Sequence, residues 1–169
     1  MVGLFKKLFT LLPHHIAYAH CDIPCGIYDP YYAQVAGHTV LRMTNLILDR
    51  KASGGNPPFQ ERKEIIHDIS RFTKVKEEHA EILKHEIRVI WGDYFKEEHI
   101  KEYPHLHELV FSIMKLASKA RQEIDIETAN ELLEKVQEFS EIFLKTKGVT
   151  PIRVPSLYPT GLDMVVYSK

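Results

Sequence analysis

Residues 20 to 26 read His-Cys-Asp-Ile-Pro-Cys-Gly, and the only two cysteines of the 169-residue chain, Cys21 and Cys25, fall inside them. Pro24 fixes its φ and Gly26 admits dihedrals closed to other residues, so this stretch favours a tight hook over a helix. Just upstream, Ala17-Tyr18-Ala19 has the small-x-small form of a cleavage site. A cut after Ala19 makes His20 the amino terminus and brings five metal donors into six residues: the α-amine, the His20 imidazole, the Cys21 amide nitrogen, and the thiolates of Cys21 and Cys25. Amine, deprotonated amide and both thiolates can lie in one plane, with the imidazole reaching an axial position. Planar N/S donors favour Ni(II) or Cu(II), and nickel is the better match; structural zinc prefers a closed tetrahedron of side chains. Two plainer readings of the pair stay open on spacing alone. One is a disulfide, which so short a loop strains and a reducing compartment opposes; the other is a zinc or generic soft-metal site.

The segment before His20 partly imitates an export signal, because Lys6 and Lys7 precede Leu8, Phe9, Leu11 and Leu12. Pro13, His14 and His15 interrupt the apolar run below the roughly 7 to 15 residues of an export core, so residues 1–19 read as a removable pro-segment and the protein as cytoplasmic. Length and an apolar fraction of 44% suit one domain with a real core. With 22 basic and 23 acidic residues and no run of one sign, nothing advertises nucleic acid or a membrane; small molecules and like subunits are the expected partners.

A hook this short needs a scaffold, and the remaining sequence predicts four amphipathic helices. Asp29-Pro30 has the form of an N-cap followed by Pro at the first helical position, opening a helix from about Tyr31 to Lys51. Its expected inner face is Val35, Thr39, Met43, Leu46 and Ile47; Leu41 and Leu48 lie opposite, and His38 sits with Arg42, Asn45 and Asp49 on a solvated face. Asn56-Pro57-Pro58 starts a second, long helix with Ile65, Ile69, Phe72, Ile82, Leu83 and Ile90 inward, reaching Trp91 before Gly92. Tyr103-Pro104 starts a third, striped by Leu106, Leu109, Val110, Ile113, Leu116, Ala117 and Ala120. A fourth opens at Asp125, presents Ala129, Leu132, Leu133, Val136, Phe139 and Phe143, and closes at Gly148. The expected fold is all-α, an antiparallel four-helix bundle over residues 20–148, with a hook at 20–30 and an extended tail at 149–169. Pro151, Pro155 and Pro159 break that tail, while Val154, Leu157, Met164, Val165 and Val166 suggest that it packs on something.

The stretch "HCDIPCGIYDP" resembles the nickel hook of the nickel superoxide dismutases, whose mature chains begin with this pattern once a pro-segment is removed. The likeness continues through "KEEHAEILKHEIRVIWGDYFKEEHIKEYPHLHELV" and "ELLEKVQEFSEIFLKTKG", so it covers roughly His20 to Gly148. The resemblance implies a nickel ion held by His20, Cys21 and Cys25, and disproportionation of superoxide into oxygen and hydrogen peroxide. It also implies a maturation protease cutting after Ala19 and assembly as a homohexamer. By the same resemblance Cys21, Cys25 and Tyr28 carry the catalysis, Tyr28 lining the approach to the metal and ordering water or anion there. Asp22 and Ile23 face that approach with their backbone. Trp91, Asp93, Tyr94 and Phe95 match a W-x-D-Y-F segment that supports the hook, although periodicity alone makes Trp91 and Phe95 core residues. Lys96 is placed to draw an anion in.

The pattern breaks at two positions. Where many members carry a Glu and an Arg that hold the free nitrogen of the axial imidazole, this chain has Ala36 and His79. A metal-bound imidazole needs some such partner, and His79 is the candidate replacement. Two rivals are weighed against the nickel enzyme. The first is a ferritin-like di-iron carboxylate bundle, from Glu64-x-x-His67 and Glu102-x-x-His105; Pro104 puts the second pair at a helix start, unable to project inward. The second is a non-catalytic helical oligomer with a disulfide-closed N-terminal arm.

Overall fold

In the computed structural model, residues 26–168 are described. They form five helices and one hairpin: α1 (Tyr31–Asp49), α2 (Phe59–Val89), a π-helical turn (Ile90–Tyr94), α3 (Glu97–Glu102), α4 (Leu106–Gln122), α5 (Ile126–Thr146), β1 (Thr150–Pro155) and β2 (Asp163–Ser168). The four long helices enclose one core, α1 packing on α2 and α5 while α4 packs on the same two. The molecule is mostly helical, as expected, but the short α3 was not foreseen.

Local chemistry explains the boundaries. Asp29 Oδ1 accepts the Tyr31 N–H at 2.8 Å, and Pro30 precedes the helix with no donor to satisfy. Asp125 accepts the Glu127 N–H in the same way at the start of α5. Gly148, at φ +74°, ends α5 in a left-handed conformation that favours glycine. The Lys76 ammonium, buried by the packing of α2 on α4, donates to the Ala120 and Glu123 carbonyls and so satisfies the end of α4. Desolvation holds its pKa below the ordinary lysine value.

The stripes predicted for α4 and α5 are the observed core faces: Leu106, Leu109, Ile113 and Ala117 of one pack with Leu132, Leu133, Val136 and Phe139 of the other. The face predicted for α1 requires correction. Its core side is Ala33, Ala36, Gly37, Val40, Leu41, Thr44 and Ile47, while Val35, Thr39 and Met43 are only half-buried. Small residues bring α1 close to its neighbours: a Cβ at Gly37 would stand 3.1 Å from Leu133 Cδ1. On α2, Leu83 is buried as expected, as is Ile90 at the start of the π-helical turn; Ile65, Ile69 and Phe72 are half-buried, and Ile82 faces outward.

The tail is likewise not simply extended. β1 and β2 pair antiparallel, Thr150 opposite Ser168 and Pro155 opposite Asp163, and the hairpin packs on α5 with Met164 and Val165 buried. The hairpin also reaches the polar face of α1 at His38, which is buried rather than solvated, while Asp49 stays exposed. Its Nε2–H donates to the Asp163 carbonyl at 3.1 Å, and its Nδ1 accepts from the Thr160 hydroxyl at 2.8 Å. Burial lowers the His38 pKa, the bond to Asp163 opposing the shift.

Candidate metal centre

The residues expected to ligate the metal, His20, Cys21 and Cys25, and their neighbours Asp22 and Ile23, lie outside the described residues. The described chain begins at the end of that segment. Gly26 has φ +81°, a left-handed bend with open space where a Cβ would stand, so the chain turns sharply just after Cys25. Two residues on, the half-buried Tyr28 packs its ring on Tyr94, centroids 5.8 Å apart.

Tyr94 is the centre of an aromatic bed. Its ring meets Phe143 at 4.8 Å and Phe95 at 5.2 Å, and it stacks on the His99 imidazole at 5.4 Å, the planes 15° apart. The Tyr94 and Thr146 hydroxyls are 2.9 Å apart and hydrogen-bonded. The Lys147 ammonium lies 4.3 Å from the Tyr94 centroid, over the ring face, where the quadrupole attracts a cation. The π-helical turn makes this arrangement possible: one wide turn at Ile90–Tyr94 swings Tyr94 and Phe95 off the axis of α2 toward the last turns of α5. His99 is oriented at the start of α3, where its Nδ1 accepts the Lys96 N–H at 3.1 Å.

The other candidates divide. Phe95 packs against Phe139 at 5.6 Å and belongs to the bed. Trp91, for which periodicity alone suggested a core position, is instead exposed; its Nε1–H donates to His107 Nδ1 at 3.0 Å. It lines an open depression of about 490 Å³ together with Phe95, Lys96, Ile100 and His107. Asp93 and Lys96 are exposed. His79 is half-buried and donates its Nδ1–H to the Val75 carbonyl one turn back at 2.8 Å, leaving Nε2 as an acceptor. Ala36 is buried in the core and has no polar side-chain atom to offer. Sequence reasoning missed His99, Thr146 and Lys147. No spacing signals them: His99 is five residues from Tyr94, off the helical period, and Lys147 and Thr146 reach it from the end of α5.

The di-iron alternative finds no support here. Glu64, His67, Glu102 and His105 are all exposed, and among the described residues no group of three or more His, Cys, Asp or Glu side chains is arranged to hold a metal. Nor is any described helix long and apolar enough to cross a membrane.

Residues 20–25 hold an imidazole and two thiols, groups that bind redox metals, and the described chain that follows them opens with a left-handed glycine and a docked tyrosine. Comparison with known proteins gives the same class. The family profile described as nickel-containing superoxide dismutase matches residues 15–147. The nickel superoxide dismutase of Streptomyces coelicolor is 35% identical over 144 residues, 85% of this chain and 98% of that protein. Its counterpart from Streptomyces seoulensis is 36% identical over the same span. A native nickel superoxide dismutase crystal structure superimposes with a TM-score of 0.62 at 34% identity, covering 76% of this chain and 99% of that one. The chain belongs to the nickel-containing superoxide dismutase family.

Proposed function

We infer that the chain is a nickel-dependent superoxide dismutase whose metal is held by residues 20–25, on a domain running from His20 to Gly148. The observation that carries the reading is the donor set itself: an amine, an imidazole, an amide and two thiolates within six residues of a chain in this family. Those donors fit nickel, because anionic thiolate and amide nitrogen stabilise its higher charge while the imidazole of His20 completes the set. When bound, nickel supplies the one-electron chemistry, alternating between two oxidation states as one superoxide is oxidised to oxygen and another is reduced to peroxide.

The chain's own residues supply the rest. Cys21 and Cys25 are held as thiolates in the loaded protein. Tyr28, fixed against Tyr94, presents its hydroxyl near the approach to the metal and orders the incoming anion or water. Asp22 and Ile23 shape that approach with backbone. Lys96 and Lys147 add positive potential, which raises the encounter rate of a small anion. Trp91, Asp93, Tyr94 and Phe95 form the supporting segment, and the acceptor Nε2 of His79 is suited to receive the N–H of an imidazole. The long helices are read as an antiparallel bundle. Assembly as a homohexamer is read from membership of the family. Residues 1–19 are a pro-segment removed by a protease after Ala19, and the enzyme works in the cytoplasm, away from nucleic acid and membrane.

Expressing the chain from His20 and from Met1 tests the reading. The His20 form takes up nickel and removes superoxide in stopped-flow assays. The Met1 form does neither, since its His20 nitrogen is a peptide amide. A nickel-loaded His20 form that leaves superoxide untouched refutes it.

A further inference from the structure

We propose that the C-terminal hairpin is a clamp on the first turns of α1 that positions the metal-binding segment preceding it, with Gln34 as the positioning residue. The proposal rests on the reading of residues 20–25 as a nickel hook. The family-model match ends at residue 147, before β1 begins.

Gln34 is 1% exposed, and its side-chain amide bonds one residue of β2 from both sides. Its Oε1 accepts the Val165 N–H at 2.7 Å, and its Nε2–H donates to the Val165 carbonyl at 3.0 Å. These are the two bonds a third strand would make to the free edge of β2, so a helical side chain replaces that strand. Two further contacts lie along α1: the Tyr31 and Tyr158 hydroxyls are 3.3 Å apart, and His38 bridges Thr160 and the Asp163 carbonyl. Positions 31, 34 and 38 follow helical spacing, and the hairpin engages all three. On the far side Gln137 of α5 donates to the Asp163 carbonyl at 2.6 Å, and Arg153 of β1 donates to Gln137 and Glu141. The hairpin therefore ties α1 to α5.

The tie reaches the hook because little chain lies between them. Only residues 26–30 separate Cys25 from Tyr31, and most of their freedom is spent: Pro30 has a fixed φ, Asp29 caps the helix and Tyr28 is docked on Tyr94. The first turn is closed by the Gln34 N–H on the Pro30 carbonyl at 3.1 Å. A shift of that turn is therefore carried toward Cys25, with only Gly26 and Ile27 left to absorb it.

The test uses the chain from His20 to Lys169 carrying Gln34→Leu, which keeps the bulk and leaves the Val165 N–H and carbonyl without partners. Ile113→Val, in the core of α4 away from the hairpin, controls for loss of stability alone. The readouts are nickel affinity by chelator competition, the thiolate-to-nickel absorption, and amide hydrogen exchange. Gln34→Leu should weaken nickel binding roughly tenfold, the lower end of what losing an orienting partner costs a metal site. It should also speed exchange at residues 31–38 and 163–166 together. Ile113→Val should change neither affinity nor absorption. If Gln34→Leu does not fold, Gln34→Glu keeps the acceptor for the Val165 N–H, loses the donor, and should give an intermediate loss of affinity. Exchange that quickens in both segments while nickel affinity and absorption stay at wild-type values overturns the clamp. A wild-type chain that takes up no nickel removes the hook reading, and the clamp with it.

Discussion

Replacing Phe143 with Ala tests whether the end of α5 is the packed bed beneath Tyr94 and Phe95. The ring is 3% exposed and touches Tyr94, Phe95 and the Lys147 ammonium. Truncating a buried phenylalanine costs about 3–5 kcal/mol, from lost transfer energy and the cavity left behind. That range already includes the ring contacts a buried phenylalanine loses, and Phe143 makes two of them, so a loss of about 4 kcal/mol is expected. Phe111 is the internal comparison: it is 66% exposed, and the same substitution there should change stability by no more than about 0.5 kcal/mol. Urea unfolding of the metal-free chain from His20, at one protein concentration, measures both. With a slope of about 2 kcal/mol per molar, the Phe143→Ala midpoint falls by about 2 M and the Phe111→Ala midpoint barely moves. Equal shifts for the two, or a Phe143→Ala loss below about 1.5 kcal/mol, would refute the packing argument.

Two titrations are predicted from the same contacts. Burial holds the folded-state pKa of His38 below its ordinary 6.5, so the unfolded chain binds the proton first. The stability of the wild-type protein is therefore full above that value and falls as pH drops toward the folded pKa, a dependence that His38→Gln should flatten in thermal unfolding between about pH 7 and 5. The Asp125 carboxyl is held down at about 2 by hydrogen bonds from the Thr128 hydroxyl and the Lys119 ammonium. The stability it contributes is present above its ordinary 3.8 and lost as pH falls toward about 2, so Asp125→Asn should show a shallower acid limb in circular dichroism.

What could be read from sequence depended on how each face is made. The stripes of α4 and α5 are written in Leu, Ile, Val and Phe, and their period is plain. The inner face of α1 is written in Ala33, Ala36, Gly37 and Thr44, which score weakly as apolar but permit close approach, so the larger Val35 and Met43 drew the assignment to the wrong side. Gln34 and His38 are buried only because the hairpin brings them partners, and nothing local announces that. The hairpin itself was hidden by its prolines. Pro151 and Pro155 look like strand breakers, yet β1 has a single partner and can place a residue without an N–H at its free edge. The ligands proposed for the metal were legible because they are adjacent in sequence. The bed of Tyr94, His99, Phe143 and Lys147 was not, because it joins segments about 50 residues apart through a π-helical turn that no period reveals.

The proposed hook is six residues with no core of its own, and fixing each of them costs about 1–2 kcal/mol in backbone entropy. Binding the metal must offset that cost, so whatever orders the segment beforehand appears directly as affinity. The chain provides such order downstream of Cys25 through a ring docked at 28, a capped and proline-led helix start at 29 and 30, and a side chain at 34 held by a strand. A defect at any of these should therefore lower nickel affinity far more than it lowers global stability. The core substitution Ile113→Val should do the reverse, and measuring the two quantities side by side separates positioning of the metal segment from maintenance of the fold.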